Sequence, residues 1–210
     1  MSRSLSIAEL QGIFADLSRT MAENFDLLTE LDAAAGDGDL GITMSKGFAA
    51  AAKAAEGYTE KDAGRLLLLA GMAIAKEAPS TLGTLIASGF MKAGKEVAGK
   101  EEVGLAESAL VLSGFVRGIM ERGKCKPGEK TIVDALLPAV ESLQGAGAGE
   151  SFAAAWQAVL AAAEKGLEAT KQMQAVHGRA AYRGENSIGT VDPGATVGVM
   201  LVKAVVAAVR

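Results

Sequence analysis

Cysteine, aromatic residues and alternating hydrophobic runs are all scarce in this sequence. The 210 residues include one cysteine, Cys125, which excludes an internal disulfide. Aromatic side chains make up 4% of the chain, and no stretch alternates between polar and apolar residues for long enough to predict a sheet. Half of the residues are hydrophobic, and alanine and leucine dominate. This composition favours a helical fold with a substantial buried core.

A surplus of positive charge and long apolar runs are also missing. The formal net charge is −4 and the pI is about 5.2, so we expect no nucleic-acid partner. The most apolar segments, 66–75 and 197–209, are too short to span a bilayer or are interrupted by charge, which predicts buried helices and no membrane partner. The N-terminus lacks a basic segment followed by a long apolar core, so we expect a cytoplasmic protein.

Hydrophobic residues recur at steps of three and four along most of the chain, as they do on one face of an α-helix. The clearest run starts at Ser6, which matches a capping box with Glu9, and ends near Asp32. Further helices are predicted near 42–56, 61–77, 84–98, 105–122, 131–144, 151–174 and 194–209. We therefore expect an all-α barrel or bundle of about eight antiparallel amphipathic helices, with residues 1–210 forming a single domain.

Three aspartates, Asp32, Asp37 and Asp39, lie close together at the end of the first helical run. Glycines at 36, 38 and 41 allow the chain to curl back through positive φ, which would turn the three carboxylates toward one site. Oxygen ligands without nearby histidine or cysteine favour Mg²⁺ over zinc. The alternative is a helix cap or a solvated turn, in which Asp and Gly are common.

Three other connections, 77–83, 122–131 and 178–194, combine glycine with hydroxyl or basic residues and lead into apolar helices. A helix N-terminus of this kind presents free backbone N–H groups and a positive dipole end, which together can bind phosphate. Simple capping is the alternative for each connection. An up-and-down bundle would bring such loops, including the acidic one, to the same end, which makes a shared ligand site at that end more plausible.

Taken together, these loops resemble a known pattern. It consists of the acidic stretch 32–41 followed by Lys46-Gly47-Phe48, the stretch 122–134 with Pro138, the run 178–189, and Asp192-Pro193-Gly194-Ala195. With these residues the chain is similar over essentially its full length to the nucleotide-binding L subunit of dihydroxyacetone kinase. The resemblance implies a barrel of eight antiparallel helices with a nucleotide site in the loops at one end.

The resemblance also implies a function. It implies two Mg²⁺ ions held by Asp32, Asp37 and Asp39, and ADP or ATP as the nucleotide. The chain would be the nucleotide-bearing part of a kinase for dihydroxyacetone or a related short ketose, active only with a separate K-type subunit that holds the ketose. A phosphotransferase-system protein is implied as a possible phosphoryl donor, and a homodimer is possible. No catalytic residue is expected on this chain beyond the metal and phosphate ligands.

The resemblance carries a set of nucleotide-binding positions onto this sequence. They are Leu40, Gly41, Ile42, Thr43, Thr81, Leu82, Gly123, Ile132, Arg179, Asp192, Pro193 and Gly194. The chain departs from the family at Leu40, where a histidine is common, and in the loop 78–83, where Pro79 and Leu82 replace small residues. These departures suggest a second hypothesis, a non-catalytic adaptor that binds nucleotide to regulate a partner. Ala- and Leu-rich helices suggest a third, a helical barrel that carries an apolar ligand.

Three further residues are given minor roles. His177, the only histidine, is expected to cap a helix or face solvent. Cys125 lies between two lysines that would lower its pKa, but it has no histidine partner in the sequence and is not expected to be a nucleophile. Trp156 falls on an apolar helical stripe and is expected in the core.

Overall fold

A computed structural model of the chain describes residues 3–147 and 149–209. Nine α-helices and two short strands account for most of these residues. The helices are α1 (Ile7–Glu23), α2 (Phe25–Ala35), α3 (Leu40–Glu56), α4 (Ala63–Glu77), α5 (Thr81–Glu96), α6 (Leu105–Gly123), α7 (Ile132–Gln144), α8 (Phe152–Ala169) and α9 (Pro193–Ala208). The strands β1 (Leu5–Ser6) and β2 (Glu102–Val103) pair in antiparallel fashion. None of the described helices combines the length and the hydropathy needed to cross a membrane.

The helices form a closed barrel in which chain neighbours pack side by side. From α3 to α9, each helix contacts the next one along the chain, and α1 closes the ring by contacting both α3 and α9. Short connections force such neighbours to run antiparallel. The prediction of an all-α barrel of antiparallel helices is therefore confirmed.

Aromatic side chains from four helices meet in the core of the barrel. The ring of Phe90 on α5 lies 5.4 Å from that of Phe14 on α1, 6.3 Å from that of Phe48 on α3 and 4.9 Å from that of Phe115 on α6. The tilted and edge-on geometries are those that aromatic pairs prefer. Four of the nine aromatic residues thus join four helices, and Trp156 is buried as expected.

The first helical run is interrupted, which the sequence pattern did not indicate. At Asn24 the backbone leaves the helical conformation, with φ −102° and ψ 19°, and the side-chain amide donates to the Thr20 carbonyl oxygen at 2.9 Å. Asparagine competes with the helix for backbone hydrogen bonds in this way, so one predicted helix becomes α1 and α2. Hydrophobic periodicity continued through the break because α2 also packs against the barrel.

Two predicted helix boundaries were wrong by several residues. The helix expected at 84–98 begins at Thr81, because the Ser80 hydroxyl accepts a hydrogen bond from the Gly83 amide at 3.1 Å and caps the helix there. The helix expected at 151–174 ends at Ala169 and is followed by a 3₁₀ turn over Thr170–Gln172. The capping box of Ser6 and Glu9 is confirmed.

Candidate metal and nucleotide site

Four connections lie at the same end of the barrel. They are the acidic loop (36–39), the α4–α5 loop (78–80), the α6–α7 loop (124–131) and the α8–α9 segment (170–192). Direct contacts link the α8–α9 segment to two of them, because Arg179 forms an ion pair with Asp37 at 2.7 Å and His177 contacts Glu129 at 2.6 Å. The prediction that the alternate loops gather at one end is therefore confirmed for these three connections.

The α4–α5 loop joins the same end through its neighbours. A Cβ added to Gly47 on α3 would lie 3.0 Å from the Cβ of Ala78, so this loop lies beside the middle of α3. A Cβ added to Gly123, the last residue of α6, would lie 3.0 Å from Leu85 in α5. The two contacts place the α4–α5 loop beside α3 and the first turns of α5 beside the end of α6.

The three aspartates of the acidic stretch converge. One carboxylate oxygen from each of Asp32, Asp37 and Asp39 lies within 4.8 Å of the other two. Asp32 is partly buried on α2, whereas Asp37 and Asp39 are exposed in the loop. The cluster therefore lies at the solvent-facing rim of the barrel, where a bound ion could keep water ligands.

Local backbone interactions hold this convergence. The Leu40 amide donates to the Asp32 carboxylate at 3.3 Å, which ties the end of α2 to the start of α3. Gly38 has φ of 76°, the positive value that the tight turn needs, while the other glycines of the stretch have negative φ. Asp39 occupies the N-cap position of α3 but forms no side-chain capping hydrogen bond, so its carboxylate remains available to a ligand.

The carboxylates affect one another electrostatically. Partial burial and then the neighbouring charges of Asp37 and Asp32 raise the pKa of Asp39 above its ordinary value, while Arg179 opposes this shift. A second arginine, Arg183, donates to the Ala34 carbonyl oxygen at the end of α2. Repulsion among like charges is what a divalent cation would relieve.

The donor set fits magnesium. All three groups offer carboxylate oxygen, the ligand type that hard cations prefer, and no histidine or cysteine joins the cluster within the described part of the chain. Mg²⁺ typically uses a few carboxylates and fills its remaining positions with water and phosphate oxygens. Three carboxylates at a solvent-exposed rim match this requirement.

The four predicted positions after the acidic loop differ in their exposure to solvent. Leu40, Gly41 and Thr43 are buried, whereas the side chain of Ile42 is 44% exposed. Leu40 packs in the core, so its contribution at this rim is the amide that binds Asp32. Of these four positions, Ile42 is the one that presents its side chain to solvent beside the acidic loop.

The two predicted positions of the α4–α5 region lie in the first turn of α5. Thr81 is exposed, and Leu82 is partly buried against the core. Their amides belong to the first turn of a helix and lack intrahelical acceptors, which is the arrangement that binds anions. Ser80 is engaged as the N-cap, so Thr81 provides the free hydroxyl at this position.

Four of the remaining predicted positions, Ile132, Asp192, Pro193 and Gly194, come together between α7 and α9. A Cβ added to Gly194 would lie 3.5 Å from the amide nitrogen of Ile132, the first residue of α7. Asp192 caps α9 by accepting a hydrogen bond from the Ala195 amide at 2.7 Å, and Pro193 occupies the first helical position. Two helix N-termini therefore meet at this part of the rim. Gly123 is the last residue of α6, and a Cβ added to it would lie 3.5 Å from the Cys125 sulfur.

Burial changes the acidity of the groups between α7 and α9. Burial raises the pKa of Asp192 to about 7, and the hydrogen bond from Ala195 and the charge of Lys130 reduce the shift. The same environment lowers the pKa of the Lys130 ammonium, chiefly through burial. The two groups support each other's charged forms inside a poorly hydrated region.

Two residues, Lys130 in the α6–α7 loop and Asp134 in the first turn of α7, hold this part of the chain in place. The Asp134 carboxylate accepts hydrogen bonds from the amides of Gly128 at 2.6 Å and Thr131 at 2.7 Å, so it fixes the loop as well as completing a capping box. Lys130 is buried, with φ of 59°. Asp134 was recognisable from the Thr131 capping pattern, whereas nothing in the sequence indicated that Lys130 is buried.

The expectations for Cys125 and His177 need correction. Burial raises the pKa of the Cys125 thiol, and the neighbouring lysines do not lower it because both are exposed. Our expectation of a lowered pKa was therefore wrong. His177 binds Glu129 across two loops, instead of capping a helix or facing solvent alone.

The fold agrees with comparisons to known proteins. The DAK2 domain family matches residues 34–207, and the chain belongs to this family. The ADP-binding subunit DhaL of the PEP-dependent dihydroxyacetone kinase of Escherichia coli is 34% identical over 172 residues, which are 81% of this chain and 82% of that protein. These findings confirm the resemblance drawn from the loop residues.

Two longer proteins are also similar. The L-erythrulose 1-kinase of Mycolicibacterium smegmatis is 37% identical over 197 residues, which cover 91% of this chain but 34% of that protein. The crystal structure of the dihydroxyacetone kinase from C. freundii in complex with AMP-PNP and Mg²⁺ superimposes with a TM-score of 0.73 at 24% identity, covering 99% of this chain and 35% of that one. The chain therefore spans about a third of each of these proteins, and the structural likeness confirms the fold.

Proposed function

We propose that this chain is the nucleotide-binding subunit of a kinase for dihydroxyacetone or a related short ketose. The observation that carries the proposal is the convergence of Asp32, Asp37 and Asp39 at a barrel end where helix N-termini also gather. The similarity to an ADP-binding subunit of dihydroxyacetone kinase supports the same function. The related erythrulose kinase supports a ketose with three or four carbons as the acceptor.

The roles of the residues follow from their chemistry. Asp32, Asp37 and Asp39 would hold two Mg²⁺ ions, which when bound neutralise phosphate charge and align the nucleotide. Arg179 lies beside the same carboxylates and can pair with a phosphate oxygen. The amides of Thr81 and Leu82 can donate to the phosphates. The N-termini of α7 and α9, with Ile132 and Gly194, form the opposite side of the site.

The chain provides charge stabilisation and positioning for phosphoryl transfer, and it offers no nucleophile of its own in this proposal. The ketose would be held by a separate K-type subunit that docks at this rim, and the phosphoryl donor would be ATP or a phosphotransferase-system protein that recharges bound ADP. The names of relatives that depend on PEP or on the phosphotransferase system support the second route.

Calorimetric titration with ADP and ATP, with and without Mg²⁺, tests the nucleotide site. We expect binding that requires Mg²⁺ and weakens at least 100-fold in Asp37→Asn, because one metal ligand becomes neutral. Glu30→Gln is the matched control, since Glu30 is an exposed acid on the same helix as Asp32 but lies outside the cluster. Wild-type protein that binds neither nucleotide would overturn the proposal.

A coupled assay distinguishes the kinase from the adaptor. The chain is mixed with a purified K-type subunit, dihydroxyacetone or erythrulose, and either ATP or a phosphorylated phosphotransferase-system donor. Phosphorylated ketose supports the kinase function. Nucleotide binding without phosphorylation of either ketose by either donor would favour the non-catalytic adaptor.

A cavity inside the barrel favours a second candidate function, the binding of an apolar ligand. The cavity has a volume of about 110 Å³ and is lined by side chains from both strands and from seven of the helices. Almost all of these side chains are apolar. The two polar exceptions, Ser108 Oγ and Trp156 Nε1, are buried and have no hydrogen-bond partner within the described residues.

Buried polar groups without partners are uncommon, and a ligand with an alkyl chain and a polar end could satisfy them. Organic extraction of the purified protein followed by mass spectrometry tests this candidate. Stoichiometric recovery of one lipid class, reduced at least fivefold when Leu112→Trp fills the cavity, would support it. If the extract contains no ligand and the same protein binds MgADP, the function as a ligand carrier is rejected and the nucleotide-binding function is retained.

A further inference from the structure

Lys130 is an unusual residue for a loop because its side chain is buried. The residue is 5% exposed, and its ammonium group donates to the carbonyl oxygens of Thr170, at 2.7 Å, and Thr190. Lysine is seldom buried, because an ammonium group loses its hydration and must be compensated by the protein. Its backbone also has a φ of 59°, a value that residues other than glycine rarely adopt. Two unfavourable features at one residue indicate that the ammonium has a specific task.

The two carbonyl groups that Lys130 binds lie at opposite ends of the α8–α9 segment. Thr170 follows the last residue of α8, and Thr190 lies two residues before the N-cap of α9. The ends are also tied to each other, because the Asp192 amide donates to the Thr170 hydroxyl at 3.0 Å. The hydroxyl in turn donates to the Leu167 carbonyl oxygen at 2.6 Å. Lys130 therefore closes the base of a long loop.

The far side of this segment reaches the acidic cluster. Arg179 pairs with Asp37 at 2.7 Å, and Arg183 donates to the Ala34 carbonyl oxygen. The side chains of both arginines are exposed, so packing does little to fix them. Their position depends on the backbone of the segment, and that backbone is closed at its base by Lys130.

We propose that Lys130 is a positioning residue whose ammonium group latches the α8–α9 segment and so holds Arg179 beside the acidic cluster. This latch, the binding of the Lys130 ammonium group to both ends of the segment, is present in the ligand-free chain. Its effect on nucleotide affinity rests on the proposed function. Lys130 acts through the segment and does not touch the nucleotide.

The same loop contains a matched control. Lys124 has φ of 55°, close to that of Lys130, but its side chain is exposed. Substitution by glycine relieves the same backbone strain at both positions, so the difference between Lys130→Gly and Lys124→Gly reports the loss of the buried Lys130 side chain. Lys130→Met and Lys124→Met form a second pair, which keeps an apolar stem and removes the ammonium group with its charge and its hydrogen bonds.

Hydrogen exchange on the ligand-free proteins tests the latch. In both Lys130 variants we expect the amides of residues 173–190 to exchange at least tenfold faster, while amides in α1, α3 and α4 change less than twofold. The Lys124 variants should match wild type throughout. Unchanged exchange in 173–190, or equal acceleration over the whole chain, would overturn the latch, since the second result would indicate a loss of overall stability only.

A double-mutant cycle with MgADP tests the consequence for binding. We expect Lys130→Gly to raise the Kd at least tenfold, and to raise it less than threefold when Arg179→Ala is already present, because both changes disable the same contact. If Lys130→Gly raised the Kd by the same factor with and without Arg179→Ala, Lys130 would not act through Arg179. If wild-type protein does not bind MgADP, the proposed function fails, and the exchange experiment still decides whether the latch exists.

Discussion

The guanidinium of Arg179 and the carboxylate of Asp37 lie 2.7 Å apart, joining the α8–α9 segment to the acidic loop. Asp37 is one of three carboxylates that repel one another, so a cation beside it stabilises the cluster. The contact also brings a bidentate donor to the place where phosphate charge would be neutralised. One ion pair thus connects two loops that are more than 140 residues apart in the sequence.

Replacing Arg179 with glutamine should weaken MgADP binding roughly 10- to 150-fold, because a charge-assisted contact to phosphate is typically worth about 1.5 to 3 kcal/mol. Calorimetry measures the change. Arg19→Gln is the control, since Arg19 pairs with Asp16 at 2.6 Å and its side chain is 66% exposed, against 67% for Arg179. Equal affinity in the two variants would contradict a role for Arg179 at the site.

The acidic cluster and the helical barrel were predictable because both leave a local signal. Helical periodicity is set by burial on one face, and the three acids lie in a stretch of eight residues that also holds Gly36 and Gly38, which predicts a turn that can bring them together. The break at Asn24 gave no comparable signal, since the apolar pattern continues across it. The start of α5 at Thr81 depends on the hydroxyl of Ser80, which caps the helix, the alternative to phosphate binding that the sequence left open for the connection 77–83.

Features that arise from tertiary packing could not be predicted from local sequence patterns. The sequence shows Lys130 as one of several lysines in a polar loop, and only the folded chain brings Thr170 and Thr190 to its ammonium group. The environment of Cys125 was misjudged for a similar reason. Adjacent lysines in the sequence extend into solvent, while the thiol turns inward.

Cys125 should therefore react slowly with a thiol reagent. Burial raises the pKa of the thiol, and both the raised pKa and the lack of access reduce the reactive thiolate. At pH 7 we expect labelling by a disulfide reagent to be at least 100-fold slower in native protein than in urea-unfolded protein. Rapid stoichiometric labelling under native conditions would contradict this prediction and would restore the low-pKa interpretation.

Asp192 should make stability depend on pH. Its pKa is about 7 in the folded chain and 3.8 in the reference state, so the folded state binds the extra proton between these values. The contribution is fully present below the unfolded-state pKa and is lost as pH rises through about 7. The free energy of unfolding should fall by up to about 1.4 kcal/mol per pH unit from this group.

Urea unfolding of wild type and Asp192→Asn at pH 5, 6, 7 and 8 isolates the effect. The side-chain oxygen of asparagine can still cap α9, so the difference in unfolding free energy between the two proteins reports the ionisation. As the pH rises from 5 to 7, the unfolding free energy of wild type should fall relative to that of Asp192→Asn. Asp62→Asn, at the N-cap of α4, is the control. Parallel curves for wild type and Asp192→Asn would contradict the prediction.

Gly41 is the residue on which the register of α2 against α3 depends. A Cβ at this position would lie closer than 3.0 Å to the Thr29 hydroxyl oxygen and to the Phe25 carbonyl oxygen. The second of these is backbone and cannot rotate away, so Gly41→Ala must separate the two helices. Alanine normally stabilises a helix by about 1 kcal/mol relative to glycine. The overlap of the added Cβ with backbone costs roughly 2 kcal/mol or more, which outweighs that gain.

Separation of α2 from α3 would also move Asp39 away from Asp32, because the two lie on opposite sides of the contact. We expect Gly41→Ala to lower Tm by at least about 4 °C and to weaken MgADP binding at least tenfold. Gly12→Ala on α1 is the control, since nothing lies within 4 Å of the added Cβ and helix propensity should make this variant neutral or more stable. If Gly41→Ala matched Gly12→Ala in both measurements, the close contact of α2 with α3 would not be what holds the carboxylates together.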